Sequence, residues 1–285
     1  MILSEKNNKS KSGTIVLNNT TGLSLLKEQI DLLDKYTKFD KDCSLHMHLG
    51  GYPIEPVHIF VLDVLGNIIQ DSLEQYIPYW TFSSENYKSS HKNYCKKLQE
   101  FQNFSQLYYA ASNGVSYLGS LQQPHPNDNN RNSKWNIAVR YVWQNIVNMM
   151  FYRGCKTVEY RFLRPTYNFN KIVNWLYIFN AILQFAETIS KTLLKKYTSN
   201  SFESVTYNVV KQVLLDTYNI SKANKDNLMI IINNVYKGGP AGVLEIHMDF
   251  LDSLKFIAST QKDNDDYYGG ICHLDKIIYR NVLNE

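Results

Sequence analysis

Two short segments of this chain alternate apolar and polar residues with period two, a spacing that suits a strand with one buried face and fits no helix. In Leu45-His46-Met47-His48-Leu49 the apolar residues take one face, so His46 and His48 leave the other together. Gly50-Gly51-Tyr52-Pro53 ends this strand. Over residues 156–163, Val158, Tyr160 and Phe162 share one face, and Thr157, Glu159 and Arg161 share the opposite one. A helical pattern follows each strand. Val57, Phe60, Val61, Val64 and Ile68 mark the first helix. Ile172, Trp175, Leu176, Phe179, Ile182, Leu183 and Ala186 mark the second, with Asn168 placed to cap it.

The remaining segments are less regular. Leu26, Ile30 and Leu33 give residues 23–36 an amphipathic helix, preceded by a turn at 18–22 and a short strand at 14–17. Residues 83–133 are rich in Ser, Asn, Gln and Tyr and read as an exposed loop, least structured at 122–130. Residues 135–150 fit a helix by spacing and a strand by their β-branched and aromatic content, so their type stays open. Beyond Lys196 the pattern predicts helices over 202–216, 225–236 and 243–258, broken at Gly238-Gly239-Pro240 and at 263–270. The chain therefore divides into a core over 1–195 and a helical extension over 196–285.

Composition narrows the class. With 285 residues, 44% hydrophobic and 20% charged, the chain can bury a sizeable core, which excludes a disordered tail, a collagen and a disulfide miniprotein. Thirty basic against 26 acidic residues, spread along the chain, leave a net charge of only +4, so no nucleic-acid partner is expected. The four cysteines, Cys43, Cys95, Cys155 and Cys272, form no C-x-x-C pair, which points to a reducing compartment. The first residues, MILSEKNNKSKSG, are too polar for a signal peptide, and no window holds eighteen uninterrupted apolar residues. The expectation is a soluble, cytoplasmic protein with no membrane partner.

The chemistry rests on the two polar strand faces. Two imidazoles leaving one face before a Gly-Gly turn suit a metal or a phosphate, or simply a solvated sheet. Glu159 and Arg161 are a surface ion pair or, over a cleft, a carboxylate for Mg²⁺ or Mn²⁺ beside a guanidinium for phosphate. Three stretches occur in order: Asp42-Cys43-Ser44-Leu45-His46-Met47-His48-Leu49-Gly50, then Arg140-Tyr141-Val142-Trp143-Gln144-Asn145, then Thr157-Val158-Glu159-Tyr160-Arg161-Phe162 with Thr166 and a helix containing Trp175. Together they resemble the amidoligase family, carboxylate–amine ligases related to glutamine synthetase and glutamate–cysteine ligase, over about residues 13–187.

That resemblance implies an α+β fold, an antiparallel sheet packed with helices as in glutamine synthetase, followed here by a helical C-terminal region. It implies an activity that uses ATP and Mg²⁺ or Mn²⁺ to activate a carboxylate as an acyl phosphate, which an amine then attacks. Small-molecule or peptide carboxylates and amines would be its substrates. His46 and Glu159 would ligate one metal, and His48 would contact nucleotide phosphate or substrate. Arg161 and Arg140 would neutralise phosphoryl oxygens, and Asn145 would orient a substrate. Phosphoryl transfer needs positioning and positive charge more than a nucleophile, which these residue types supply. The family opens with an E-x-E strand, and only Glu5 and Glu28 precede His46 here. A truncated domain, a protein partner or second copy supplying the opening strands, and lost activity all remain open.

Two rival readings stand beside this one. Leu45-His46-Met47-His48-Leu49-Gly50-Gly51 is also similar to the first zinc strand of adenosine deaminases, but His247-Met248-Asp249 and Asp265-Asp266 lack that family's later contexts. The other is a non-catalytic structural or interaction module on a ligase fold. His58 reads as a helix-surface histidine, His91, His125 and His273 as solvated, and Cys272-His273 as no site. Tyr108-Tyr109 and Tyr267-Tyr268 read as core or interface residues, and Gly238-Gly239-Pro240 as a turn.

Overall fold

A computed structural model describes residues 2–3, 13–14, 20–38, 45–76, 97–116, 142–151, 156–163, 166–197, 204–218, 229, 232–233 and 250–259. The chain runs β1 (Ile2–Leu3), β2 (Gly13–Thr14), α1 (Thr20–Tyr36), β3 (Leu45–Gly50), α2 (Pro56–Tyr76), α3 (Phe104–Ser116), β4 (Gln144–Asn145), α4 (Val147–Phe151), β5 (Thr157–Leu163), α5 (Phe169–Lys196), α6 (Tyr207–Tyr218) and α7 (Phe250–Ser259). The fold is α+β and mostly helical. Among the described residues there is one sheet, antiparallel throughout, in the order β2-β1-β3-β5-β4.

The sheet is built around the two period-two strands. β3 and β5 pair over most of their length, with Met47 opposite Tyr160, His48 opposite Glu159 and Leu49 opposite Val158. The register shifts between Leu45 and Met47: Leu45 faces Leu163, so β5 carries one extra residue there. Such a bulge re-aims side chains locally, and it brings Leu163 over Leu45 so that both are buried. Gly51, at φ 85°, turns the chain out of β3, a conformation in which a Cβ is strained.

The apolar sheet face packs on α5. Tyr160 stacks on Phe179 with centroids 3.7 Å apart, and Trp143 and Trp175 extend the aromatic cluster on either side. Helix α5 starts where the sequence places its cap, since the Asn168 side chain accepts from the Lys171 backbone N–H at 3.0 Å. It is apolar around most of its girth and is the one described helix long and apolar enough to cross a membrane; most of that stretch is buried in the fold. Helix α2 lies against α5, and α6 and α7 pack on both, so the helices after Lys196 share a single core with the sheet.

Residues 135–150 proved to hold both of the alternatives left open: β4 gives way after Ile146 to α4, and residues 135–141 lie outside the described set. The expected loop over 83–133 is corrected over part of its length. Helix α3 runs through it, with Leu107 and Ala111 buried, and the Asn103 side chain accepts from the Gln106 N–H at 2.9 Å as its cap. A polar composition concealed the helical spacing of these residues. Tyr108 and Tyr109 stand on the outer face of α3, 40% and 65% exposed, rather than in the core. His58 is likewise corrected: it is buried beneath Tyr52, whose ring meets it edge-on at 6.1 Å, because α2 is enclosed on more sides than its stripe suggests.

Gly66 marks a close approach to α2. A Cβ there would stand 2.5 Å from Gln144 Nε2 and 2.7 Å from Leu98 Cδ1. Gln144 cannot swing aside without losing its bond to the Leu62 carbonyl at 3.0 Å, and the Leu98 backbone is held on both sides by the Gln70 amide. Gly66→Ala is therefore expected to destabilise by about 1 to 3 kcal/mol, even though alanine favours a helix interior by about 1 kcal/mol over glycine. Urea unfolding of the two proteins measures the difference, and a more stable variant would show that the helix can shift.

Candidate functional site

The three strands set one row of polar residues across the sheet. His48 in β3 lies opposite Glu159 in β5, and Asn145 in β4 lies opposite Glu159 from the other side. Directly opposed residues share a sheet face with Cβ atoms about 5 Å apart, so these side chains meet without help from any loop. The next row, Met47, Tyr160 and Gln144, points the other way into the core.

Glu159 is the hub. Its Oε1 lies 3.2 Å from His46 Nδ1 and 3.6 Å from His48 Nε2. Its Oε2 accepts from Asn145 Nδ2 at 2.8 Å and from Arg161 Nη2 at 3.0 Å. The carboxylate is buried, Arg161 is nearly so, and His46 and His48, with side chains 30% and 22% exposed, form the open edge of the cluster. His46, His48, Glu159, Arg161 and Asn145, the residues singled out from sequence, thus stand together. Arg140 lies outside the described residues, as do His91, His125, His247, His273, Tyr267-Tyr268 and Gly238-Gly239-Pro240.

The electrostatics follow from burial and partners. Burial by itself would push the Glu159 carboxyl up, but the His46 hydrogen bond and the Arg161 charge, with a smaller contribution from His48, hold it well below the usual carboxylate range. His48 moves the other way: burial lowers its pKa, Glu159 opposes this only in part, and the imidazole is neutral at neutral pH. Its Nδ1 lies 3.2 Å from the Thr157 hydroxyl, which fixes the ring plane. Thr157 was legible as a member of the polar face, yet its hold on His48 depends on the pairing of β3 with β5.

Asn145 is fully buried and both ends of its amide are engaged, since Oδ1 accepts from the Val147 N–H at 3.0 Å while Nδ2 holds Glu159. In this arrangement it orients Glu159 and does not reach the open edge. A buried group that sequence reasoning did not single out is Asp63 in α2, a lone carboxyl within an apolar run, whose pKa burial raises to about 8.

The donor set suits a divalent ion poorly. Hard cations such as Mg²⁺ and Mn²⁺ want several oxygen ligands, and the cluster offers one carboxylate. Both imidazoles approach the same oxygen of it, and a guanidinium and an amide donor occupy the other. The formal charges of Glu159 and Arg161 cancel. Among the described residues no group of three or more His, Cys, Asp or Glu side chains is placed to hold a metal ion. The cluster does not fit a standing divalent-metal centre. The His46 and His48 rings form its more exposed edge with the guanidinium behind them, but His48 Nε2 and Arg161 Nε are buried and His48 Nδ1 faces the Thr157 hydroxyl; guanidinium and imidazole are residue types that recognise phosphoryl or carboxylate oxygens.

Comparison with known proteins adds no relative: no family model, no curated protein and no solved structure matches the chain.

Proposed function

We propose that the chain is a carboxylate–amine ligase-like module of the amidoligase kind, on a glutamine synthetase-like sheet, whose polar face takes the phosphoryl end of ATP or of an acyl phosphate. The observation that carries this reading is the meeting of His46, His48, Asn145, Glu159 and Arg161, drawn from three strands, on one face of the sheet. In it Arg161 supplies the positive charge for phosphoryl oxygens, and His46 and His48 line the approach. Glu159, held by Asn145, keeps Arg161 in place. Mg²⁺ or Mn²⁺ would arrive on the nucleotide, and no step is drawn through it. Amide-bond formation is expected to be slow in the chain alone, since charge stabilisation of a transferring phosphoryl group calls for more cationic and metal-binding groups than this cluster holds.

A second reading, a non-catalytic interaction module on the same fold, is favoured by one observation: Arg161 and Asn145 hold one oxygen of the buried Glu159 carboxylate and His46 faces the other, the arrangement of a charge-balanced structural cluster.

Calorimetry of the intact chain with Mg²⁺ and ATP separates the two. The ligase-like reading expects measurable heat of binding, and at least about tenfold weaker binding in Arg161→Ala, with Arg161→Lys restoring little because an ammonium cannot offer a bidentate fork. No heat with the intact protein would leave the interaction module standing.

A further inference from the structure

We infer that Arg161 is the resident cation of a two-histidine, one-carboxylate set, and that its guanidinium keeps divalent metal off this face of the sheet in the resting protein. The inference goes beyond the proposed function and holds whether or not nucleotide binds.

The residue types invite the opposite conclusion. His46 and His48 leave one face of β3, Glu159 stands across from them, and two imidazoles with one carboxylate are a familiar ligand set for transition metals. The geometry supplies the reason it is closed. Both imidazole nitrogens lie beside Glu159 Oε1, at 3.2 and 3.6 Å, a spacing that would not by itself exclude an ion, so what closes the set is the cation held on the other oxygen. Arg161 Nη2 lies 3.0 Å from Oε2 of the same carboxylate, with its side chain only 12% exposed. At this depth the charges are weakly screened, and a doubly charged ion would have to approach a buried guanidinium that already neutralises the only carboxylate in the set.

Asn145 locks the arrangement. Its amide donates to the oxygen that Arg161 uses, and the backbone N–H of Val147 fixes that amide in turn. Glu159 is therefore not a ligand waiting for a metal. It is the counter-ion of an arginine, with His46 at 3.2 Å and His48 at 3.6 Å beside its other oxygen.

The test measures Mn²⁺ binding to the intact chain at neutral pH, with no nucleotide present, by electron paramagnetic resonance. The native protein is expected to show no Mn²⁺ site tighter than scattered surface carboxylates. Arg161→Met and Arg161→Gln, which remove the charge, are each expected to gain one site at least about tenfold tighter. Adding Glu159→Gln to either should abolish that gain, and Arg161→Lys, which keeps a positive charge, should not acquire it. Thermal unfolding establishes that each variant is folded. Should neither neutral variant fold, the native protein decides by itself: Mn²⁺ is expected to leave the His46 and His48 imidazole resonances sharp. Broadening of those resonances in the native protein, or folded neutral variants with no gain in affinity, would overturn the inference. Since only metal is added, failure here is distinct from failure of the ATP-binding reading.

Discussion

Replacing Glu159 by alanine is expected to lower the unfolding free energy by about 3 to 5 kcal/mol, because it leaves a buried arginine without its counter-ion. Arg161 and Asn145 both donate to Oε2, and His46 and His48 face Oε1, so one truncation strips partners from four side chains at once. The diagnostic comparison is with the double variant Glu159→Gln, Arg161→Met. Removing both charges should recover part of the loss, since the cost lies mainly in the unpaired charge that remains after a single change. Urea unfolding of the native protein, both single variants and the double variant gives the coupling between the two positions. Additive losses would mean that the pair contributes nothing as a pair.

The second large effect is expected from Asp63 and depends on pH. Burial raises this carboxyl to about 8 in the folded protein from its ordinary value of 3.8. Between those two values the unfolded chain is ionised at this position while the folded chain keeps its proton. Stability therefore falls as pH rises, by about 1.4 kcal/mol per pH unit at full slope, and levels off above the folded pKa. His48 and His58 act in the opposite sense below about pH 6.5, since burial lowers both pKa values and their contribution grows as pH climbs toward the unfolded value. Over pH 6.5 to 8 the two histidines finish titrating in the unfolded chain and offset part of the Asp63 slope at the lower end, so the fall is steepest above about pH 7. Across this window the native protein should lose roughly 1 to 2 kcal/mol. Asp63→Asn should remove most of that slope and be the more stable protein at pH 8. Urea unfolding across the window measures both, and parallel pH profiles would show that Asp63 is not held protonated.

The strands that carry the candidate site were legible because strict alternation over a few residues admits one reading. His46 with His48, and Glu159 with Arg161, were each assigned to a common face from spacing alone, and on the opposite faces Leu45, Met47, Val158 and Tyr160 are buried. Helix α5 was legible for a similar reason, with a long apolar stripe behind a capping asparagine. Helix α3 was not, because Ser105, Gln106, Tyr108 and Tyr109 fill exposed positions and only Leu107 and Ala111 are buried among the residues around its first two turns. His58 and Asp63 show the complementary failure. A helical stripe tells which side of α2 faces a neighbour, and cannot tell that other elements enclose the remaining sides.

The sequence by itself determined that two polar faces exist and which residues stand on each, since side-chain direction along a strand is a local property with a fixed period. Tertiary structure decided what those faces do to one another. The β3–β5 register puts His48 opposite Glu159, the bulge in β5 brings Leu163 over Leu45, and β4 delivers Asn145 to the same carboxylate. Charge balance follows from those pairings: an arginine two residues from a glutamate reads in sequence equally as a phosphate ligand or as a counter-ion. Only the tertiary structure shows that Glu159 is its counter-ion, 3.0 Å away and buried within the fold, where water no longer screens the pair and separating it would leave two costly unpaired charges.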